Sequence, residues 1–228
     1  MPIPDSPAPP VEAVIWDFGG VITSSPFEAF ARFERERGLP AGFLRRVNAT
    51  RPDDNAWAHL ERAELDHKQF DEAFARESRA LGAEVRGLDV LALVSGEVRP
   101  EMVEALRRIS TRPKTGCITN NFVVPAQGKP GIPYREEIMT NFHHVIESAK
   151  AGLRKPDPRI YRMMADALEV DPRACVYLDD LGVNLKPARA MGMRTIKVGE
   201  AAPAIAQLEQ WLGFALGAVD GKGPGEST

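Results

Sequence analysis

The chain predicts an α/β fold, a three-layer parallel sheet with a helical segment inserted after the first strand. Three observations carry that expectation. Four short apolar runs (Val14, Ile15 and Trp16; Cys117 and Ile118; Val145 and Ile146; Cys175, Val176, Tyr177 and Leu178) have strand length, and each ends in polar residues. Helical patterns separate the later runs, the alternation that builds parallel sheets. Residues 26–95 carry helical spacing and no strong strand.

Taken in order, residues 1–10 are proline-rich and expected to be an extended or disordered tail. The first strand follows, and Asp17 stands at its carboxyl end ahead of Phe18-Gly19-Gly20-Val21. Ser24 and Ser25 before Pro26 read as a hydroxyl cap with proline in the first turn. Phe27, Phe30, Ala31, Phe33 and Glu34 share one helical face, and Gly38 ends that helix. Trp57, Leu60 and Leu65 mark a second helical stretch, and Phe70, Ala73, Phe74 and Leu81 a third. Beyond Arg99, Met102, Val103, Leu106 and Ile109 make a helix that leads into the strand at Cys117. Asp157 and Pro158 cap and open another, with Ile160, Met163, Met164, Ala167 and Leu168 as its apolar face and its methionines as core filling. Residues 193–198 read as a last strand, and residues 217–228, Gly-rich and poor in large apolar groups, as a disordered tail. The division is therefore 11–25 and 96–216 for the α/β core and 26–95 for the insertion.

With 228 residues, the chain is long enough for one domain with an insertion. Its 43% hydrophobic and 27% charged residues are those of a globular protein, and a net charge of −3 argues against nucleic acid as main partner. The basic residues Arg107, Arg108, Arg112 and Lys114 decorate a helix end and a loop. The two cysteines, Cys117 and Cys175, lie in apolar runs and read as buried thiols of a reducing compartment. The first residues have no basic and apolar regions of a signal peptide, and no apolar run reaches membrane-spanning length. A cytoplasmic protein without membrane partners, monomer or homodimer, is the expectation.

In an open α/β sheet, ligands bind beyond the carboxyl ends of the strands. Parallel strands would therefore gather Asp17, Thr119-Asn120-Asn121, Lys155 and Asp179-Asp180 at one edge. Each alone has a plainer reading. Asp17 and Asp179-Asp180 serve equally as turn formers or helix caps, Thr119 as a strand-to-loop turn, Lys155 as a solvated lysine before proline, and Asn184 as a cap. Asp17-Phe18-Gly19 also matches the magnesium motif of protein kinases, but there is no His-Arg-Asp loop and no Gly-x-Gly-x-x-Gly, and Asp17 comes too early. Adjacent carboxylates repel, and a shared cation would relieve Asp179 and Asp180. The histidines lack metal-ligand spacing: His143 and His144 read as structural, and His59 and His67 as a solvated helix face.

In that order, a strand-end Asp, a hydroxyl, a Lys and an acidic pair resemble the haloacid dehalogenase superfamily, most of whose members are phosphatases. Leu178-Asp179-Asp180-Leu181-Gly182-Val183-Asn184 narrows the resemblance to the subfamily like the N-terminal phosphatase domain of epoxide hydrolases. Lys155-Pro156-Asp157-Pro158-Arg159-Ile160-Tyr161 fits the same group, as do Asn55-Ala56-Trp57 and Leu60-Glu61-Arg62. The resemblance spans roughly residues 11–212. It implies a Rossmann-like core with a C1-type helical cap, and a Mg2+-dependent phosphatase acting on a small phosphorylated metabolite.

It further implies roles. Asp17 would be the nucleophile that forms an aspartyl-phosphate. Asp17, Asp179, Asp180 and the Gly19 carbonyl would hold Mg2+, with Asn184 orienting the acidic pair. Thr119, Asn120, Lys155 and Gly20 would meet the phosphoryl group, Lys155 and Thr119 catalytically. The phosphatase members carry an Asp as general acid where this chain has Gly19. Three expectations follow: a slow phosphatase or one for leaving groups that need no proton, non-phosphatase chemistry such as dehalogenation or phosphonate hydrolysis, or a weak phospho-ligand binder. Dehalogenation needs no metal, so the acidic pair argues against it. Phosphonate hydrolysis needs a cap lysine, and Lys68 is the sole lysine of the insertion.

Overall fold

The structure, a computed structural model, describes residues 9–94, 96–122 and 135–216. Of the expected tails 1–10 and 217–228, residues 1–8 and 217–228 lie outside the described residues. In chain order the elements are β1 (Ala13–Trp16), α1 (Phe27–Glu36), α2 (Phe43–Ala49), α3 (Ala56–Glu61), α4 (His67–Ala80), α5 (Gly87–Leu91), α6 (Pro100–Ile109), β2 (Lys114–Thr119), α7 (Arg135–Met139), β3 (His144–Glu147), α8 (Ser148–Ala151), α9 (Pro158–Leu168), β4 (Cys175–Asp179), α10 (Gly182–Ala190), β5 (Arg194–Lys197) and α11 (Ala201–Leu212).

The five strands are parallel in the order β3-β2-β1-β4-β5. β1 is central, and its four residues are fully buried, as a strand covered on both faces must be. Side chains alternate between the two layers. Val14 and Trp16 pack with Met102, Leu106 and Ile109 of α6 and Leu208 of α11. Ala13 and Ile15 pack with Ile160, Met164 and Leu168 of α9 and Leu185 of α10.

Helix α9 starts as expected: Pro158 opens it, and the Asp157 carboxylate accepts from the Arg159 N–H at 2.9 Å. Its buried face is Ile160, Tyr161, Met164, Ala165 and Leu168, whereas Met163 and Ala167 face solvent. Met163 is thus not core filling. Leu65 lies outside α3, because Ala63 takes a positive φ of 58° and Asp66 starts a new helix with a reciprocal cap to Gln69. The hydroxyl cap expected at Ser24 or Ser25 is absent: Pro26 stands at the N-cap of α1 without a side-chain hydrogen bond. Both serines have longer-range partners. The Ser24 hydroxyl accepts from the Glu97 N–H at 3.0 Å, and the Ser25 hydroxyl donates to Asp180 at 3.1 Å.

Helices α1 to α5 form a separate apolar cluster around Phe30, Phe43, Leu44, Phe70 and Phe74. Two linkers join this insertion to the sheet and pair with one another: Thr23 bridges Val98, Ser24 N–H donates to Glu97 O at 2.7 Å, and Arg99 N–H to Ile22 O at 2.9 Å. The buried Glu34 caps α2 through the N–H groups of Gly42 and Leu44. Cys117 and Cys175 are buried free thiols, as their apolar runs imply. Among the described residues no helix is long and apolar enough to cross a membrane.

Candidate active site

The edge where β1, β2 and β4 end is where sheet order reverses, with β2 on one side of β1 and β4 on the other. Trp16 pairs with Leu178, so Asp17 follows alongside Asp179, and the Asp17 N–H donates to Leu178 O at 2.8 Å. Thr119 ends β2, buried at the same edge. Lys155 arrives from the loop before α9, joined by a cis peptide bond to Pro156.

Lys155 is the electrostatic centre. Its Nζ lies 2.7 Å from Asp17 Oδ1 and 2.9 Å from Asp179 Oδ2, and the side chain is 1% exposed. Burial disfavours its charge, but Asp17 and Asp179 outweigh that and hold its pKa above the ordinary lysine range. Burial pushes the Asp17 carboxyl well up; Lys155 opposes, while Asp179 and Asp180 push the same way. The Asp17 carboxylate also accepts from its neighbour's N–H, Phe18 to Oδ1 at 2.6 Å. Both bonds fall on Oδ1, which leaves Oδ2 as the less engaged oxygen.

The two acidic residues after β4 are not equivalent. Asp179 is fully buried, and its oxygens accept from Lys155, from the Tyr177 hydroxyl at 2.5 Å, from Asn184 Nδ2 at 3.1 Å to each oxygen, and from the Leu181 N–H at 2.8 Å. Asp180 is half-buried, and among the described residues its carboxylate accepts from the Ser25 hydroxyl. Burial and Asp179 raise its pKa. Carboxylate oxygens of Asp17, Asp179 and Asp180 lie within 4.8 Å of one another. This donor set fits a hard divalent cation, which takes oxygen ligands and offsets the mutual repulsion of three clustered carboxylates. Gly20 leaves the necessary space: at φ +77° its Cβ would stand 2.3 Å from Asp180 Cγ. Gly19 is exposed and carries no acid.

Asn120 is placed differently from a free donor. Its Nδ2 donates to Glu61 Oε2 at 3.0 Å and to Lys155 O at 3.1 Å, so both amide hydrogens are engaged. Asn184 lies inside α10 rather than at its cap, which is Leu181, and binds Asp179. His143 is structural, accepting through Nδ1 from the Thr115 N–H at 3.0 Å, while His144 is exposed. His59 pairs with Asp54 and Glu64, and His67 packs edge-on to Phe122 at 5.9 Å. Lys68 is exposed.

Sequence reasoning missed Tyr177, Ser25 and Glu61. Tyr177 carried a signal, since residues two apart on a strand share a face and Tyr177 precedes Asp179 by two. Ser25 and Glu61 carried none, because their partners lie far along the chain.

Comparison with known proteins agrees with this geometry. The family model described as haloacid dehalogenase-like hydrolase matches residues 11–192. Phosphatase MT3486 of Mycobacterium tuberculosis is 32% identical over 94% of this chain and 99% of its own length. Acyl-CoA dehydrogenase family member 10 of Mus musculus is 33% identical over 90% of this chain, and bifunctional epoxide hydrolase 2 of Sus scrofa 31% over 90%. The matched region is 19% and 40% of those two longer proteins. Among solved structures, the magnesium complex of a haloacid-dehalogenase-family enzyme of Bacteroides thetaiotaomicron superposes with a TM-score of 0.60 at 17% identity, covering 88% of this chain and 98% of that one. At that identity the likeness is one of fold. By family match, by a full-length relative and by fold, the chain belongs to the haloacid dehalogenase-like hydrolases.

Proposed function

We propose that the chain is a magnesium-dependent phosphatase that works through an aspartyl-phosphate on Asp17. The observation that carries this reading is the buried Lys155 ammonium bridging Asp17 and Asp179, with Asp180 beside them. The full-length mycobacterial relative is named a phosphatase, which supports a phosphorylated substrate; a small metabolite is the proposed class. Buried free thiols fit a cytoplasmic setting.

Asp17, Asp180 and the Gly19 carbonyl would hold the ion. Asp179, with four protein donors on its two oxygens, serves to fix Lys155. When bound, Mg2+ supplies positive charge to the phosphoryl oxygens. Lys155 neutralises the same group, which lets an anionic carboxylate approach an anionic ester. Thr119 offers its hydroxyl. Asn120 contributes its backbone N–H, since its side-chain amide is engaged elsewhere. Asp17 Oδ2 attacks phosphorus, and the ester P–O bond breaks with its electron pair going to the leaving oxygen. No side chain at Gly19 protonates that oxygen, so it departs as a stable anion or takes its proton from water. Water then attacks phosphorus, the P–O bond to Asp17 breaks, and phosphate and the free carboxylate result.

The bare Gly19 also favours a second reading, phospho-ligand binding with little turnover. Fluoroaluminate with Mg2+ mimics the transferring phosphoryl group and should raise Tm in wild type but not in Asp17→Asn. Aryl and acyl phosphates should be hydrolysed faster than alkyl phosphates. A Tm rise without turnover of any ester selects the binder; no Tm rise removes the phosphoryl site.

A further inference from the structure

We propose that Glu61, on the insertion, is the positioning residue for Lys155. Glu61 ends α3 and is 7% exposed, yet it is not part of the insertion's apolar cluster. Every strong contact it makes points to the sheet edge or steadies its own carboxylate. Oε2 accepts from Asn120 Nδ2 at 3.0 Å and from Arg154 Nε at 2.7 Å. Oε1 accepts from Trp57 Nε1 at 2.8 Å, and the Glu61 main-chain oxygen accepts from the Ser148 hydroxyl at 2.7 Å.

Asn120 in turn brackets the backbone of Lys155. Its Oδ1 accepts from the Lys155 N–H at 2.9 Å while its Nδ2 donates to the Lys155 carbonyl at 3.1 Å. A carboxylate only accepts. Glu61 therefore meets the amino end of the Asn120 amide, and that orientation alone leaves Oδ1 facing the Lys155 N–H. With the amide reversed, its oxygen would face two acceptors and its NH2 would face a donor. The same Glu61 oxygen holds Arg154, whose other nitrogen Nη1 reaches Pro52 O of the insertion at 2.9 Å. Residues 154 and 155 are thus gripped on both flanks by one carboxylate. Any slip of that backbone moves the ammonium between Asp17 and Asp179, so seating the insertion and placing the phosphoryl-binding lysine become one event.

The proposal rests on the phosphatase reading for its kinetic arm only. The test uses the full chain, with Glu61→Ala, Asn120→Ala and the double variant, assayed with Mg2+ and p-nitrophenyl phosphate. NMR hydrogen exchange of the Asn120 side-chain amide is followed in wild type and in Glu61→Ala. Wild type should show slow amide exchange that becomes fast in Glu61→Ala. Both single variants should lose kcat by about 10²-fold, as misplacing a reacting group by about 1 Å does, and the double variant should be no worse than the poorer single. Glu61→Gln keeps an acceptor oxygen and should recover part of the loss. A folded Glu61→Ala with wild-type kcat and slow Asn120 exchange overturns the proposal, as does lowered Tm without loss of kcat, or additive singles. If Glu61→Ala does not fold, wild-type kcat in Asn120→Ala overturns it. If wild type turns over no ester, the functional reading fails, and amide exchange alone decides the role of Glu61.

Discussion

Two adjacent glycines divide the burden at the nucleophile loop. Gly20 has φ +77° and no room for a Cβ, because Asp180 occupies that space. Gly20→Ala should cost on the order of 1–2 kcal/mol from the left-handed backbone and displace Asp180. Calorimetry should then show weaker Mg2+ binding than wild type, and unchanged affinity would separate Asp180 from the ion. Gly19 is the reverse case. Its φ is not positive, and a Cβ there meets nothing within 4 Å. No left-handed backbone strain therefore opposes a side chain, and Gly19→Asp should fold with near wild-type Tm. Supplying the missing acid should raise kcat on alkyl phosphates, with ~10²–10⁴-fold as upper limit, and much less on aryl phosphates. Equal effects on both classes would show that protonation of the leaving group is not what this site lacks.

At the scale of elements, the corner between α4 and α5 depends on one buried charge. Asp71 is 2% exposed; its carboxylate accepts from Arg86 Nε at 2.9 Å and from the Leu88 N–H at 3.0 Å. The Arg86 bonds, aided by Leu88, hold its pKa below the usual carboxylate value of 3.8. A depressed folded pKa contributes stability that is complete above the unfolded value and vanishes as pH falls through the folded one. Asp71→Asn should therefore lower Tm at pH 7, and its deficit should shrink below about pH 4, where the unfolded carboxyl protonates. A deficit independent of pH would assign the loss to packing rather than charge.

Among the described residues, the apolar groups form three clusters, one on each face of the sheet and one in the insertion, and two paired linkers join the insertion to the sheet. The linkers approach closely at Gly96, where a Cβ would stand 2.4 Å from Ser24 O and 2.9 Å from Thr23 Oγ1. The nearest atom is backbone and cannot rotate away. Gly96→Ala should force the linkers apart at a cost of about 1–3 kcal/mol, the range for overpacking. It should also shift the insertion against the sheet edge, since Ser25 on the same linker touches Asp180. A fall in kcat/KM at temperatures far below Tm would report that shift; lowered Tm with full activity would confine the damage to the linkers.

The strand-length runs, their parallel arrangement and the polar residues at their ends were legible in the sequence; the strand order β3-β2-β1-β4-β5 was not. Apolar runs such as Ala13 to Trp16 can only be buried on both faces, and a parallel sheet then places every polar run-end at one edge. That logic located Asp17, Thr119, Lys155 and Asp179-Asp180. It also misassigned what depends on partners distant in the chain. Ser24 and Ser25 read as local caps because local hydrogen bonds are all that spacing reveals, whereas they serve Glu97 and Asp180. The engagement of the Asn120 side-chain amide by Glu61, 59 residues earlier, likewise left no mark in the sequence. Met163 fits a helical face by count but lies one position off the buried stripe. Only tertiary structure decided that Asp179 is saturated and Asp180 is not, and that Lys155 is held from the insertion. Periodicity reports which face is apolar, while the partner of a buried polar group is set by which elements pack together.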